Sequence, residues 1–221
     1  MRSNTDVLDT LPVLQRFALA YAPVSARSAT LGLFALDTKL AGIVRSSSEQ
    51  LLGQLRIAWW RERLESDPAS WPRGEPVFAA LSDWQEFRHA LLVLVDGWEE
   101  MTRESPLPDA ALQSLAAGRA ECFSTLARIV GADGVSDHAR RLALEWAIAD
   151  IASKVSHPAE HEAGQRMLAD CDWGRARLGR AMRPLAILHG LARRSVRRGK
   201  AIDQLSPRDV IPAIRLGLLG R

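Results

Sequence analysis

Apolar side chains recur at three- and four-residue spacing over long stretches of this chain, the period of a helix with one buried face. Leu33, Leu36, Leu40 and Val44 keep that spacing and predict a helix over 26–44. Leu51, Leu52, Leu55, Trp59 and Leu64 predict a second over 48–65, its antiparallel neighbour in a bundle. Ser46-Ser47-Ser48 interrupts the pattern, and Ser46 with Glu49, or Ser47 with Gln50, has the spacing of a capping box. Further helices are expected over 77–103 (with a break near Asp83), 109–130, 137–155 and 174–198. A short last one should begin at Ser206-Pro207-Arg208-Asp209, a serine cap with proline in the first turn. Gly131 reads as a helix stop. No stretch alternates with period two for long enough to make a strand. The pattern predicts one all-α domain over 1–221, with 1–10 and 199–205 as loop or tail.

Composition supports helix over sheet. Alanine and leucine supply 64 of 221 residues, against 27 for valine, isoleucine and threonine together. The apolar fraction of 47% is too high for a disordered chain. No apolar run reaches the roughly 18–20 residues of a membrane span, and Asp6 and Asp9 near the start predict no secretory signal. Two cysteines, Cys122 and Cys171, are too few for a disulfide scaffold and lack nearby catalytic partners. They are expected to be small buried hydrophobes in a reducing, cytoplasmic setting.

Charge changes the picture only at the C-terminal end. Residues 173–221 hold twelve basic and two acidic side chains, a local +10, whereas 1–172 carry a local −7. Arg193, Arg194, Arg197 and Arg198 form a basic stripe opposite Leu185, Leu188 and Leu191. Such a helix is a solvated face, or it contacts an anionic membrane surface or phosphates, or it pairs with the acidic part of its own chain. No DNA- or RNA-binding module accompanies it, so no nucleic-acid partner is expected. Among candidate sites, Asp96 and Glu100 stand one turn apart and can bridge Mg²⁺, or form a plain charged face. His157 and His161 share metal-ligand spacing, but Pro158 between them favours a turn. Arg56 and Trp60, also one turn apart, can present a cation and an indole to an anion. Trp59 and Trp60 differ by 100° around a helix, so at least one should be a buried anchor.

Three segments resemble the squalene/phytoene synthase family, most closely a divergent branch that includes bacterial homologues of a respiratory complex I assembly factor. They are Ser25-Ala26-Arg27 with Leu33-Phe34-Ala35-Leu36, the run 49–64 with Arg56-Ile57-Ala58-Trp59-Trp60-Arg61, and Arg180-Ala181-Met182-Arg183-Pro184-Leu185. With Leu94-Val95-Asp96-Gly97 they come in family order along nearly the whole chain. The resemblance implies an isoprenoid-synthase-like helical bundle. It makes Arg27, Arg56 and Trp60 the candidates for substrate binding, and Asp96 and Glu100 those for metal.

Active members join two prenyl diphosphates head to head, with Mg²⁺ held by two aspartate-rich motifs on facing helices. The metal is needed because diphosphate departs only when its charge is neutralised. Here Leu40, Ala41 and Val44 stand where the first motif's aspartates belong, leaving Asp37 alone. The second motif is reduced to Glu145 and Asp150, five apart on different faces of one helix, and the acidic site near the third helix to Glu99-Glu100-Met101. Two functions follow as expectations. One is a non-catalytic protein binding an isoprenoid lipid or assisting respiratory-complex assembly, peripheral to the inner membrane through its basic end. The other is a prenyl-diphosphate transferase with an atypical Mg²⁺ site; only this one requires a cofactor.

Overall fold

Prolines set where most helices begin. Pro12, Pro23 and Pro108 each occupy the position just before a helix, and Pro76, Pro158 and Pro184 lie in a first turn. There the missing N–H removes no intrahelical bond. The structure, a computed structural model, describes residues 4–47 and 49–199. Its helices are α1 (Asn4–Thr10), α2 (Val13–Ala20), α3 (Val24–Ser46), α4 (Gln50–Glu65), α5 (Pro76–Ala80), α6 (Arg88–Glu100), α7 (Asp109–Ile129), α8 (Ser136–Ala152), α9 (Pro158–Ala169) and α10 (Arg183–Arg197). No strand occurs among the described residues, and the chain is all-α as the periodicity requires.

Helix α7 is the central element. It packs on α6 along one side and on α8 along the other; α8 also contacts α9 and α10, and α10 reaches back to α2. Helix α4 lies mainly on α6 and touches its expected neighbour α3 to a smaller extent. One continuous cluster of buried apolar side chains joins these layers. Within it Leu36, Leu40, Leu91, Leu94, Leu112, Phe123 and Leu185 are shielded almost completely. The α6–α7 crossing is close because Gly97 and Gly118 have no side chains. A Cβ on Gly97 would lie 2.7 Å from Leu115 Cα, and one on Gly118 2.7 Å from the Val93 carbonyl oxygen.

Several boundaries depart from the sequence expectation for identifiable reasons. The segment expected as one helix over 77–103 divides into α5, a 3-10 stretch (Ser82–Phe87) and α6. The one expected over 174–198 shortens to α10, preceded by a 3-10 turn (Arg180–Met182), because Pro184 is tolerated in a first turn but not mid-helix. Residues 4–10, expected as loop, form α1, and α2 and α9 are additional short helices. His157 sits outside α9 as its cap, accepting a hydrogen bond from the Ala159 N–H at 3.2 Å. The expected capping box is absent. Ser47 Oγ donates to the Ile43 carbonyl at 2.8 Å, so the serine closes α3, and α4 starts without a side-chain cap. Gly131 does end α7, at φ 70°, with Gly131 N–H bonded to Arg128 O and Ala132 N–H to Ala127 O, a Schellman closure. The expected loop over 199–205 lies beyond the described residues from 200 onward, as does the short helix at Ser206.

Candidate functional site

The most unusual feature of the interior is a charged network where an apolar bundle would place only hydrocarbon. Arg119 of α7 is 4% exposed, and the carboxylates of Asp37 (α3) and Asp150 (α8) are buried beside it. Arg119 donates from Nε to Asp37 Oδ1 at 3.1 Å and from Nη1 to Asp150 Oδ2 at 2.8 Å. Trp98 Nε1–H donates to the same Asp37 oxygen at 2.9 Å, and Lys154 Nζ donates to Asp150 Oδ1 at 2.6 Å. The guanidinium also lies over the rings of Trp98 (5.2 Å) and Trp146 (5.3 Å), which present π faces to its charge.

Two carboxylates and two cations balance, which is what burial of charge demands. Burial works to raise the Asp150 carboxyl, but the charge of Arg119, then that of Lys154, outweighs it and holds the group below its usual range. Burial works in the same way to lower Arg119, and the charges of Asp37 and Asp150 hold it above its ordinary value. Cys122 behaves as the small buried hydrophobe expected of it: burial, then the negative charges of Asp37 and Glu121, push its thiol well up.

A second buried polar pair joins α8 to α10. His189 and Glu145 meet at 2.6 Å between Nε2 and Oε2, with the Trp173 ring 5.9 Å from the imidazole. Burial and then Glu145 push the nearby, half-buried Cys171 thiol up to about 11, so it remains protonated near neutral pH. Glu160 is also buried, and its Oε1 accepts from Ser105 Oγ (2.6 Å) and the Leu107 N–H (2.8 Å), tying α9 to the loop before α7.

A cavity of about 920 Å³ opens between α1, α3, α4 and α5, with Val7 and Thr10 of α1 among its lining. Its apolar wall includes Ala35, Ile43, Val77 and Trp60; Trp60 is 2% exposed and stacks on Phe78 with centroids 4.7 Å apart. Trp59, 37% exposed, meets the Trp60 ring edge-on at 5.3 Å. Lys39, Arg45 and Arg56 supply its cations and Glu75 its one carboxylate.

The expected site residues separate. Arg56 and Trp60 line this cavity; Arg27, exposed on the first turn of α3, does not. Asp96 Oδ1 lies 2.5 Å from Arg61 Nη2 as an ion contact, and the same nitrogen holds Glu99 Oε2. Glu100 pairs instead with Arg103 at 2.8 Å. No group of three or more histidine, cysteine or acidic side chains placed to hold a metal occurs among the described residues. Asp37, read from the sequence as standing alone, in fact shares Arg119 with Asp150. Asp96, Glu100, Glu145 and Asp150 do not converge: each has its own cationic or imidazole partner. The sequence reading missed Arg119, although its setting was a signal. An arginine among Leu115, Ala116, Cys122 and Phe123, at helical spacing, falls on the buried face and must find carboxylates there. No family model, curated protein or solved structure matches this chain.

Proposed function

We propose that this chain is a non-catalytic helical binding protein, built on the plan of the squalene/phytoene synthase family, that holds a lipid rather than condensing prenyl diphosphates. The observation that carries this reading is the Arg119 guanidinium between Asp37 and Asp150. Diphosphate ionisation calls for divalent cations on carboxylates from facing helices. Here the buried acids of α3 and α8 are bridged by a fixed monovalent cation flanked by two indoles, and Lys154 takes a further Asp150 oxygen. A Mg²⁺ ion at that place would have to displace Arg119 into an apolar core, so these residues do not fit the metal. The pairing of Asp96 with Arg61 and of Glu100 with Arg103 supports the same reading.

The resemblance extends the proposal to its setting: an anionic membrane surface, reached through the basic C-terminal region, where respiratory complexes are assembled. No described helix is long and apolar enough to cross a membrane, which accords with contact from one side. The deciding experiment is incubation with farnesyl and geranylgeranyl diphosphate plus Mg²⁺, measuring released diphosphate and lipid product together. Neither should rise above a protein-free control. Steady Mg²⁺-dependent release, abolished by Asp150→Asn, would overturn the proposal.

A further inference from the structure

We infer that the cavity between α1, α3, α4 and α5 binds a single-chain amphiphile with a phosphate-type headgroup, a long-chain phosphate monoester. This rests on the binding reading above and gives it a site and a ligand class.

The cavity is separate from the Arg119 network. None of Asp37, Arg119 and Asp150 lines it; on α3 its lining centres on Lys39, Gly42 and Ser46, within about 40° of the direction opposite Asp37, with Thr38 and Arg45 at its flank. Its volume falls in the range of small-molecule sites. The lining divides chemically. Ala35, Ile43, Val77, Trp59 and Trp60 offer hydrocarbon and indole surface to a chain, and at Gly42 a Cβ would meet nothing within 4 Å, so the backbone itself borders open space.

The charges are set against that surface. Lys39 pairs with Glu75 at 2.8 Å and lies 5.9 Å over the Trp60 ring. Arg45 and Arg56 make no ion pair or hydrogen bond to any described residue. Three cations against one carboxylate leave the lining at +2, the complement of a phosphate monoester carrying roughly −1.5 to −2. Guanidinium groups bind such oxygens in pairs of parallel hydrogen bonds. Leu52, one turn before Arg56 and 43% exposed, places a further apolar side chain on the same side of α4 as Arg56. An apolar wall alone would suit any hydrocarbon; the two unpaired arginines specify an anion at its edge.

The test is titration of the full chain with hexadecyl phosphate, hexadecanol and inorganic phosphate, followed by tryptophan fluorescence and calorimetry. Hexadecyl phosphate should saturate one site, with hexadecanol at least tenfold weaker and inorganic phosphate without measurable effect. Arg56→Ala and Arg45→Ala should each weaken hexadecyl phosphate about tenfold or more, the loss of one charged hydrogen-bonding group, and leave hexadecanol unchanged. Gly42→Phe should fill the space and abolish both, and a thermal melt confirms that it is folded; if it is not, the two arginine variants decide. Inorganic phosphate as effective as the long-chain ester overturns the inference, since the arginines would then be a plain anion site. Equal binding of the ester by wild type and both arginine variants overturns it too. Absence of binding together with absence of diphosphate release removes this inference and leaves the non-catalytic reading intact. Diphosphate release removes the latter whatever the cavity binds.

Discussion

Arg119 is the residue on which most of the interior's electrostatics depends. Buried ion pairs contribute little net stability when whole, because desolvation offsets attraction, but removing one partner strands the other. Arg119→Met should therefore cost about 3–5 kcal/mol in urea unfolding at neutral pH, whereas the triple change Asp37→Asn, Arg119→Met, Asp150→Asn should cost much less. Acid separates the two further. Because the folded Asp150 carboxyl is held below its ordinary value, its contribution is complete above the unfolded carboxyl pKa of about 3.9. That contribution is lost as pH falls through the lower folded value. In Arg119→Met the chief force holding that carboxyl down is gone and burial remains, so the cost of the substitution should shrink as pH drops from 7 toward 4. A cost that stays constant over that range, or a triple variant as unstable as the single one, would show that Arg119 acts by packing alone. The sequence displayed Asp37, Arg119 and Asp150 but not their meeting. They are separated by 82 and 31 positions along the chain, and only the α3–α7–α8 packing brings them into contact.

At the scale of elements, the two glycines of the α6–α7 crossing fix how close those helices lie. Alanine is favoured over glycine inside a helix by about 1 kcal/mol, so propensity alone predicts that Gly118→Ala stabilises. The added Cβ would meet the Val93 carbonyl at 2.7 Å and Leu94 Cα at 3.0 Å, both backbone atoms that cannot rotate aside. Overpacking of this kind costs about 1–3 kcal/mol, and the net expectation is a loss, read as a lowered melting temperature. Gly42→Ala, where the Cβ meets nothing, should show the opposite sign and gain a few tenths to about 1 kcal/mol. If both substitutions stabilise, the close crossing does not constrain the bundle. Periodicity made the longer helices α3, α7 and α8 legible to within a few residues, because each keeps an apolar stripe over several turns. Helix α4 was legible in extent but not in face: Leu51, Leu52, Leu55 and Trp59 of its expected stripe are exposed, and it buries Gly53, Ile57 and Trp60 with Leu64 instead. It failed where helices are short or begin at a proline within a basic run. Thus α1 and α2 had too few turns to establish a period, α9 had too few large apolar side chains (Met167 and Leu168) to mark one, and the start of α10 was set by Pro184 rather than by hydrophobic pattern. The serine break between α3 and α4 was legible as a break, but its hydrogen bonds turn back toward Ile43, a choice between two helices that spacing alone leaves open.

For the whole molecule, the segregation of charge matters more than its small total. The last 49 residues carry +10 while the rest carries −7, and the described part of that basic end includes the polar face of α10. That helix buries Leu185, Leu188 and Leu191 as the sequence pattern requires, which leaves Arg193, Arg194, Arg197 and Arg198 on the partly or fully exposed side. Burial, then the like charges of Arg197 and Arg175, hold the Arg193 guanidinium below its ordinary value, while Glu145 opposes them. Arginines crowded to this degree gain from an external anion. Near an anionic bilayer each contributes on the order of 1 kcal/mol, within a screening distance of about 10 Å at 0.1 M salt. The full chain should therefore float with phosphatidylglycerol vesicles at low ionic strength, remain behind with phosphatidylcholine vesicles, and be released by about 0.5 M NaCl. Replacing Arg193 and Arg197 by glutamine should weaken flotation without lowering the melting temperature, because neither residue belongs to the apolar seam of α10. Flotation that ignores lipid charge and salt would point instead to the exposed leucines of α4, Leu51, Leu52 and Leu55, as the membrane contact. No flotation with either lipid would remove the membrane from the proposed function and leave the cavity ligand to be drawn from solution.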